Sequence, residues 1–334
     1  MIARTGPTWQ TPTWQSEQSQ AIRDPKELLK RLNLSIEQLP DMLQAGEQFP
    51  LRVTESYLSR MQPGDPQDPL LLQVLPQGRE LQIIDGYGTN PVGDQEAMPL
   101  PGLLHKYSGR CLLVLTAACA VHCRYCFRRH FPYQEARLDE KALAQALRYI
   151  AADHSLEEVI LSGGDPLSVS DQRLTQLVTQ LDKIPHLKRL RIHTRQPVVL
   201  PSRVTEELLS TLHQSRLQKI IVLHFNHANE LSNEVNLALE KLADHHFTLL
   251  NQSVLLNGVN DSVEALKSLS ESLFEQRVHP YYLHLLDKVT GASHFDTPLN
   301  DAQQLHQQLR ASLPGYMVPL LVQERAGEKN KTPI

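Results

Sequence analysis

The segment CAVHCRYC carries three closely spaced cysteines, Cys119, Cys123 and Cys126, in a C-x3-C-x2-C pattern. Three thiolates on one short loop indicate a metal centre, because thiolates are strong ligands for soft metals. A structural zinc ion requires four closed ligands and would need His122 or His130 as the fourth. An iron–sulfur cube bound by only three cysteines leaves one iron open to a small molecule. The spacing therefore predicts a reactive iron–sulfur centre, with structural zinc as the alternative.

The cysteine loop directly follows the first of several short apolar runs, which alternate with stretches of helical period. The predicted strands are 111–116, 157–163, 187–194, 219–225, 247–256 and 279–286. The predicted helices are 139–151, 170–182, 204–213, 231–245, 261–275 and 300–312. Such strict alternation implies a parallel sheet with right-handed crossovers. We predict an α/β fold with an incomplete parallel (β/α)6 barrel, rather than a doubly wound sheet, and we expect chemistry at the C-terminal ends of its strands.

The sequences on either side of this barrel have a different texture. The N-terminal hundred residues predict a mostly helical or irregular region, with helices at Pro25–Leu32 and Ser35–Ala45 and a proline-rich interruption at 61–70. No catalytic pattern occurs in this region. The apolar run YMVPLLV at 316–322 predicts a C-terminal cap that ends in a polar tail. The predicted division is 1–100 for the N-terminal region, 101–290 for the barrel and 291–334 for the cap.

The composition is that of an ordinary globular protein. The 334 residues include 33 Lys and Arg against 37 Asp and Glu, for a formal net charge of -4. This balance gives no global attraction to nucleic acid or to an anionic membrane. Because no apolar stretch suits a signal peptide or a membrane span, we expect a cytoplasmic protein. The fourth cysteine, Cys111, lies within an apolar run and is predicted to be a buried core residue.

The cysteine spacing, with Tyr125 directly before the last cysteine, resembles the motif of radical S-adenosylmethionine enzymes. The resemblance implies that S-adenosyl-L-methionine binds the open iron of a [4Fe–4S] cluster and is cleaved reductively to a 5′-deoxyadenosyl radical. In such enzymes a glycine-rich turn like SGGDPL, at 162–167, contacts the methionine amino group, and adjacent glycines allow a close backbone approach. The implied cofactor-binding residues are Gly163, Gly164, Asp165, His224 and Gln252.

A closer resemblance, to the lysine 2,3-aminomutases, extends over 105–334. It is carried by the segments HKYSGRCLLVLTAACAVHCRYCFRRHFPY, RIHTRQPVVLPSR, HFNHANE, LLNQSVLLNGVND and PYYLHLLDKV. The N-terminal segments DPKELLKRLNL and GDPQDPLLLQVLP are similar to the short bacterial members of this family that serve the β-lysylation of elongation factor P. The chain is therefore identified as a member of this family.

The aminomutases combine radical chemistry with pyridoxal 5′-phosphate. The resemblance identifies Lys331, in KNKTPI, as the lysine that binds this cofactor covalently, whereas the residues alone would describe a solvated tail residue. The local sequence AGEKN replaces a run of glycines that other members have before this lysine, while Thr332 and Pro333 match. Lys106 and Arg110, just before the first predicted strand, match the family's contacts to the cofactor phosphate.

The resemblance also implies residues that bind the substrate. Arg128 matches the residue that binds the substrate carboxylate; its alternative role is to compensate the charge of the cluster together with Arg124 and Arg129. Asp287 matches the first acidic residue at the ε-ammonium group. Glu324 occupies the position of the second, where the longer aminomutases have Asp.

These correspondences imply L-lysine 2,3-aminomutase activity, in which (S)-α-lysine becomes (R)-β-lysine for the post-translational modification of elongation factor P. The short chain and the absence of cysteines after Cys126 favour this hypothesis. One alternative is the same chemistry on glutamate or arginine, of which Asp287 disfavours glutamate. Another is a non-catalytic sensor that binds the cluster and S-adenosylmethionine. The implied partners are lysine and a flavodoxin- or ferredoxin-type reductant, without nucleic acid or membrane, and a homo-oligomer is compatible with the sequence.

Overall fold

A nine-stranded sheet lies at the centre of the fold. The computed structural model describes residues 13–35, 37 and 41–334, and the strands of these ranges pair in sequence order. The strands are β1 (Leu103–Tyr107), β2 (Arg110–Val114), β3 (Glu158–Ser162), β4 (Arg189–Thr194), β5 (Gln218–Leu223), β6 (Thr248–Val254), β7 (His279–His284), β8 (Leu320–Gln323) and β9 (Thr332–Pro333). All pairs from β2 to β8 are parallel, whereas β1 joins β2 and β9 joins β8 in antiparallel fashion.

Helices connect the parallel strands and precede the sheet. They are α1 (Trp14–Ser19), α2 (Pro25–Arg31), α3 (Met42–Gln48), α4 (Glu55–Leu58), α5 (Pro69–Leu72), α6 (Glu140–Ala152), α7 (Asp171–Asp182), α8 (Gln196–Val199), α9 (Glu206–His213), α10 (Asn233–Asp244), α11 (Val263–Glu275) and α12 (Leu299–Ser312). In α6, Asp139 caps the first turn, and Ala142, Ala146 and Ile150 form one buried face at a spacing of four residues. This spacing explains why the connecting helices are recognisable in the sequence.

The structure confirms the incomplete parallel barrel and extends it at both edges. The six predicted strands correspond to β2–β7. The run 316–322, predicted as part of a cap, instead contributes β8, which adds a further parallel strand beside β7. This strand has only four residues, of which Leu320 is exposed, so its apolar signal is weak. Within the described ranges no backbone pairing joins β1 to β9, and the barrel therefore stays open.

The strand β1 is absent from the sequence-based prediction. Only Leu103 and Leu104 of its five residues are apolar and buried. The turn into β2 depends on Gly109, whose φ of 75° lies in the left-handed region that glycine adopts without strain. Such a short strand with a mixed pattern does not stand out from a loop.

The N-terminal region packs onto the barrel through a common apolar core. Leu28 and Tyr57 belong to the same buried cluster as Leu161 of β3 and Leu223 of β5. No helix in the described residues is both long and apolar enough to cross a membrane. The domain boundaries near 100 and 290 stay predictions.

The two helices predicted in this region differ in their outcome. The first is found as α2, where Asp24 caps the helix by accepting from the backbone N–H of Lys26. For the second, predicted at Ser35–Ala45, positions 36 and 38–40 lie outside the described residues. The described helix there is α3, which begins at Met42 and ends beyond the predicted boundary.

Candidate active site

A cavity of about 640 Å³ opens at the C-terminal ends of the parallel strands. Every candidate site residue lines it: Cys119, Cys123, Cys126, Lys106, Arg110, Arg128, Gly163, Gly164, Asp165, His224, Gln252, Asp287, Glu324 and Lys331. Several follow the end of a strand, including Gly163 after β3, His224 after β5 and Glu324 after β8. Lys106 and Glu324, which are 218 residues apart, are in contact here. The sheet thus gathers the candidate residues into one space.

The cysteine loop forms one end of this cavity. Cys119, Cys123 and Cys126 are free thiols, partly exposed, whereas Cys111 is buried within β2 as predicted. Burial raises the pKa of the Cys119 thiol well above its usual value and that of Cys126 to about 11. In the part of the chain that the structure describes, no three His, Cys, Asp or Glu side chains converge to hold a single metal ion.

A buried arginine that the sequence reasoning missed contacts this loop. The Nη1 atom of Arg195, directly after β4, donates to Sγ of Cys123 at 2.6 Å. Its Nη2 atom donates to Oε1 of Gln73 at 2.7 Å, to the Tyr57 hydroxyl at 3.1 Å and to the carboxylate of Glu230. Burial opposes the charged form, but Cys123 and Glu230 raise the pKa of Arg195 well above its usual value. A permanent positive charge therefore lies beside the cysteine loop.

A second buried ion pair anchors the loop from outside. The Nε atom of Arg124, a fully buried side chain, donates to Oε1 of Glu80 at 2.8 Å, and Nη2 of Arg129 donates to Oε2 of the same carboxylate at 2.9 Å. Nη1 of Arg124 also donates to the carbonyl of Phe49 at 2.6 Å. Removing one partner from a buried pair of this kind costs about 3–5 kcal/mol. The N-terminal region, which shows no catalytic pattern, thus positions the cysteine loop.

The glycine-rich turn packs closely against the backbone between Thr116 and Ala118. A Cβ on Gly163, whose φ is 135°, would lie 2.6 Å from the carbonyl oxygen of Thr116, and one on Gly164 would lie 2.6 Å from that of Ala118. The backbone N–H of Gly164 donates to Thr116 at 2.6 Å. The glycines therefore allow a close approach to the backbone that leads into the cysteine loop. A contact of this turn with S-adenosylmethionine stays a prediction.

The other three residues implied for cofactor binding also make protein contacts. The Asp165 carboxylate accepts from the Thr194 hydroxyl and from the backbone N–H of Arg195, each at 2.7 Å. Nε2 of His224 lies 2.9 Å from Nε2 of Gln252. Burial lowers the pKa of His224 to about 3, so the imidazole is neutral. Asp165 organises the loops, whereas His224 and Gln252 form a polar pair on the cavity wall.

Five alternating charges line the cavity wall from Lys331 to Arg128, which lies two residues after Cys126, and we call them the charge chain: Lys331, Glu324, Lys106, Asp94 and Arg128. Nζ of Lys331 lies 3.1 Å from Oε2 of Glu324, whose Oε1 lies 3.1 Å from Nζ of Lys106. That same Nζ lies 2.7 Å from Oδ1 of Asp94, and Oδ2 of Asp94 lies 2.7 Å from Nε of Arg128. The contact between Lys106 in β1 and Glu324 after β8 spans the opening of the barrel.

The charge chain fixes the ionisation of its carboxylates. Burial alone would raise the pKa of Glu324, but Lys331 and Lys106 lower it to about 2. The two cations beside Asp94 likewise lower its pKa against the effect of burial. Lys331 also contacts His284, with 3.3 Å between Nζ and Nε2, and burial lowers the pKa of this histidine far below its usual value. Neutral His284 and anionic Glu324 therefore hold the Lys331 amine inside the cavity.

Asp287 differs from Glu324 and Asp94, the two carboxylates of the charge chain. Its Oδ1 atom is buried and has no hydrogen-bond partner within the described residues. Burial raises the pKa of Asp287 to about 7, and the charge of Glu324 acts in the same direction. A buried polar atom without a partner costs about 1–3 kcal/mol. The site therefore favours a ligand that brings a positively charged hydrogen-bond donor to Asp287.

Two arginines complete this part of the wall. Nη1 of Arg128 donates to the Ser162 hydroxyl at 2.9 Å, while its Nε donates to Asp94, so two of its three nitrogens are fixed by the protein. The guanidinium of Arg110 lies 4.6 Å from the ring centroid of Tyr107. Both are suited to anionic groups of a ligand, because a guanidinium binds carboxylate and phosphate oxygens in a fixed geometry.

Comparison with known proteins identifies the family. Residues 113–269 match the Radical SAM superfamily. Over 319 residues the chain is 48% identical to the L-lysine 2,3-aminomutase of Haemophilus influenzae, which covers 96% of this chain and 94% of that protein. The chain belongs to the L-lysine 2,3-aminomutase family. Radical SAM aminomutases of this family use a [4Fe–4S] cluster, S-adenosylmethionine and pyridoxal phosphate.

Other aminomutases match over almost the whole chain. The L-lysine 2,3-aminomutase of Escherichia coli is 47% identical over 334 residues, covering 98% of this chain and 96% of that protein. The L-lysine 2,3-aminomutase of Clostridium subterminale is 37% identical over 322 residues, covering 96% of this chain but only 77% of that protein. The chain thus aligns with about three quarters of the clostridial protein.

The cavity residues fit the cofactors of the family. Three thiols on one loop, with Arg195 beside them, suit an anionic cluster that has one open iron. Lys331 presents its amine to the cavity, and Arg110 offers a guanidinium for a phosphate. The buried Oδ1 of Asp287 is an acceptor without a hydrogen-bond partner in the described residues. These observations agree with the donor sets that the three groups require.

Site residues absent from the sequence-based prediction include Arg195, Asp94 and Glu80. Arg195 follows a predicted strand, where barrel chemistry is expected, and this position is the signal that could have found it. Asp94 and Glu80 lie in the N-terminal region without any motif. A lone acidic residue in a sequence is usually exposed, so its partners must be known before a role can be assigned.

Proposed function

We propose that this protein is an L-lysine 2,3-aminomutase, which moves the amino group of (S)-α-lysine from C2 to C3 and releases (R)-β-lysine. The observation that carries the proposal is the common cavity, which joins the cysteine loop to Lys331 and to the unpaired carboxylate of Asp287. A radical reaction on an amine requires both centres around one small molecule in a space from which water is excluded. The identity of 48% to the Haemophilus influenzae aminomutase supports the same activity.

At the cluster end, we assign Cys119, Cys123 and Cys126 to the [4Fe–4S] cluster, with one iron left for S-adenosylmethionine. When bound, the cofactors supply the one-electron chemistry that removes hydrogen from C3 and the carbonyl chemistry that carries the migrating nitrogen. Arg195 keeps a positive charge against this centre. The contacts with S-adenosylmethionine are assigned to Gly163, Gly164, Asp165, His224 and Gln252.

At the opposite end, we assign Lys331 to covalent attachment of pyridoxal phosphate. Glu324 and His284 hold its amine in place, which keeps the amine in the cavity whenever it is not bonded to the cofactor. Arg110 takes the larger share of the cofactor phosphate, because Lys106 already pairs with two carboxylates. Lys106 adds positive charge nearby.

The substrate is held at its two charged ends. Arg128, oriented by Asp94 and Ser162, binds the α-carboxylate, and Asp287 binds the ε-ammonium. An arriving ammonium group stabilises the ionised form of Asp287, so lysine binding lowers the pKa of this carboxyl from about 7. Glu324 contributes less to the ammonium, since its oxygens already pair with two lysines of the protein.

Arginine is the second candidate substrate, because its guanidinium would also satisfy the free oxygen of Asp287. Glutamate is disfavoured, because its second carboxylate would meet the like charge of Asp287. A sensor without catalysis does not account for a substrate-sized cavity that contains both the cysteine loop and a buried amine.

The cellular assignment rests on resemblance to the short bacterial members of the family. We assign the β-lysine product to the modification of elongation factor P in the cytoplasm. A flavodoxin- or ferredoxin-type protein is the electron donor in this proposal, because the cluster must be reduced by one electron in each activation.

Product analysis tests the proposal. The reconstituted protein is incubated without oxygen with dithionite, S-adenosylmethionine and pyridoxal phosphate, and separately with lysine, arginine or glutamate. We expect β-lysine, detected by chromatography and mass spectrometry, as the dominant product, and none from the Cys126→Ala variant. Formation of a β-amino acid only from arginine or glutamate would overturn the substrate, and cleavage of S-adenosylmethionine without any β-amino acid would overturn the reaction.

A further inference from the structure

Asp94 connects the two halves of the substrate and cofactor machinery assigned above. Its Oδ1 lies 2.7 Å from Nζ of Lys106 and its Oδ2 lies 2.7 Å from Nε of Arg128. The side chain is only 4% exposed. One buried carboxylate thus contacts both the lysine near the cofactor phosphate and the arginine that faces the substrate carboxylate.

The turn around Asp94 is held firmly between distant parts of the chain. The backbone N–H of Asp94 donates to Oδ1 of Asn90 at 3.0 Å, and the carbonyl of Val92 accepts from Nζ of Lys106 at 2.7 Å. A Cβ on Gly93 would lie 3.1 Å from the side chain of Ala326, so the turn packs directly against the segment that leads to the cofactor lysine. Asp94 therefore has a fixed position between β1 and the end of the sheet.

Charge balance explains why a carboxylate is needed here. The charge chain contains three cations and two anions, and Asp94 is the anion between Lys106 and Arg128. Without it, two like charges would face each other in a site of low dielectric constant, and both side chains would turn away from their present geometry. When Asp94 is present, its carboxylate binds Nε of Arg128, so the guanidinium faces the cavity in one orientation.

We propose that Asp94 is a positioning residue that holds Lys106 and Arg128 for the cofactor phosphate and the substrate carboxylate. Both binding events then depend on a single carboxylate from the N-terminal region. The inference rests on the proposed function, because it uses the ligands assigned there to the two cations.

The test is the Asp94→Asn variant, which keeps the size of the side chain and removes its charge. The matched control is Glu96→Gln, in the same turn, where an exposed carboxylate accepts from Asn90 at 2.7 Å. Affinity for pyridoxal phosphate is measured by absorbance titration, KM and kcat for lysine by product formation, and cluster content by iron analysis. In Asp94→Asn we expect at least a tenfold loss in cofactor affinity and a tenfold rise in KM, with a smaller change in kcat and unchanged iron content. The control should stay within twofold of the wild type.

A double-mutant cycle separates positioning from a general loss of structure. In a Lys106→Met background, Asp94→Asn should change the affinity for pyridoxal phosphate by less than twofold, because its partner is already absent. The inference would be overturned if the effects of Asp94→Asn and Lys106→Met on the affinity for pyridoxal phosphate were additive. It would also be overturned if Asp94→Asn alone stayed within twofold of the wild type in both that affinity and KM for lysine. If Asp94→Asn does not fold, as judged by circular dichroism, Asp94→Glu keeps the charge, and its constants must fall between those of the wild type and of Lys106→Met for the proposal to stand. Failure of the proposed function is seen separately, as absence of β-lysine from the wild-type protein.

Discussion

At the cluster end of the cavity, Arg195 donates to Cys123 and to three further groups, and Glu80 pairs with two arginines. The charge chain leads away from the cysteine loop, from Arg128 to Lys331, and its five charges pair in a row, while the buried oxygen of Asp287 has no partner in the described residues. The charges at the cluster end are paired within the protein, although the Nε atoms of Arg195 and Arg129 are buried without a hydrogen-bond partner in the described residues. At the end that holds Lys331, Oδ1 of Asp287 is an acceptor without such a partner, and we assign it to the substrate.

Because of this difference, substitutions at the two ends should have different free-energy consequences. Removal of one partner from a buried ion pair is strongly destabilising, because the remaining charge is left uncompensated. An unpaired carboxylate is already unfavourable in the free protein, and Asp287 partly avoids the penalty because its raised pKa leaves a large fraction protonated near neutral pH. Variants at the first end should therefore affect assembly of the cluster, and variants at the second should affect affinity and turnover.

The largest expected effect is at the cysteine loop. Replacement of Cys119, Cys123 or Cys126 by Ala should abolish the [4Fe–4S] cluster, because each thiolate holds a separate iron. Iron content and the charge-transfer absorbance of the reconstituted protein measure this loss. Cys111→Ala is the control and should keep the cluster, since this thiol lies within β2. Loss of iron from the Cys111 variant alone would show that the ligands are wrongly assigned.

Lys331→Ala tests whether the two ends are independent. The variant should lose all pyridoxal phosphate that borohydride can fix to the chain, because the covalent bond requires this amine. The cluster and the reductive cleavage of S-adenosylmethionine should persist, since the cysteine loop does not contact Lys331. Cofactor still fixed at another lysine, identified by peptide mass spectrometry, would contradict the assignment.

Asp287→Asn should weaken the use of lysine without affecting assembly. Loss of the charge that pairs with a buried ammonium should lower kcat/KM for lysine. The expected loss of transition-state stabilisation is about 2–5 kcal/mol, while iron and pyridoxal contents stay at wild-type levels. Glu324→Gln is the comparison variant and should lower pyridoxal attachment more than it raises KM. Wild-type turnover by Asp287→Asn would place the ε-ammonium elsewhere.

The same carboxylate predicts a pH dependence. The protonated form of Asp287 does not attract an ammonium, so kcat/KM of the wild type should fall as the pH falls through about 7. The Asn variant has no such group and should lack this limb. The stability of the fold should change with pH in the opposite direction. Burial disfavours the ionised form of Asp287 in the folded state, so the free energy of unfolding should decrease as the pH rises from 4 towards 7.

A smaller effect is expected at Arg195. Arg195→Gln removes a positive charge beside Cys123, which makes addition of an electron to the cluster less favourable. The midpoint potential of the cluster should therefore be more negative in the variant than in the wild type. A redox titration followed by electron paramagnetic resonance measures the shift. The control, Tyr57→Phe, keeps the arginine charge and should shift the potential less. Equal potentials in Arg195→Gln and the wild type would show that Arg195 does not influence the cluster potential.

The cysteine loop and the barrel could be predicted from the sequence because their signals are local. Spacing within eight residues defines the thiols, and apolar runs between amphipathic helices define β2–β7. The strand β8 is too short and too exposed on one side to be seen in this way. Lys331 has no local signal of any kind, and only the family resemblance distinguishes it from a polar tail residue.

The residues that the sequence reasoning missed are defined by their partners. Asp94 and Glu80 look like ordinary surface acids until the fold places Lys106, Arg128 and Arg124 against them. The glycines of the 162–167 turn lie close to the backbone near Thr116, and their predicted contact with S-adenosylmethionine stays a prediction. Which group lies opposite a residue is a long-range property, and one sequence contains no measure of it.

The open side of the barrel is held differently from the rest of its circumference. Neighbouring strands from β2 to β8 share backbone hydrogen bonds, whereas β1 and the end of β8 meet through the ion pair of Lys106 and Glu324. A seam held by side chains opens at a lower free energy than a junction held by a ladder of backbone hydrogen bonds. Amide hydrogen exchange in β1 and β9 should therefore be faster than exchange in β4 and β5. We therefore expect local opening of the barrel at the seam between β1 and β9, directly beside Lys331.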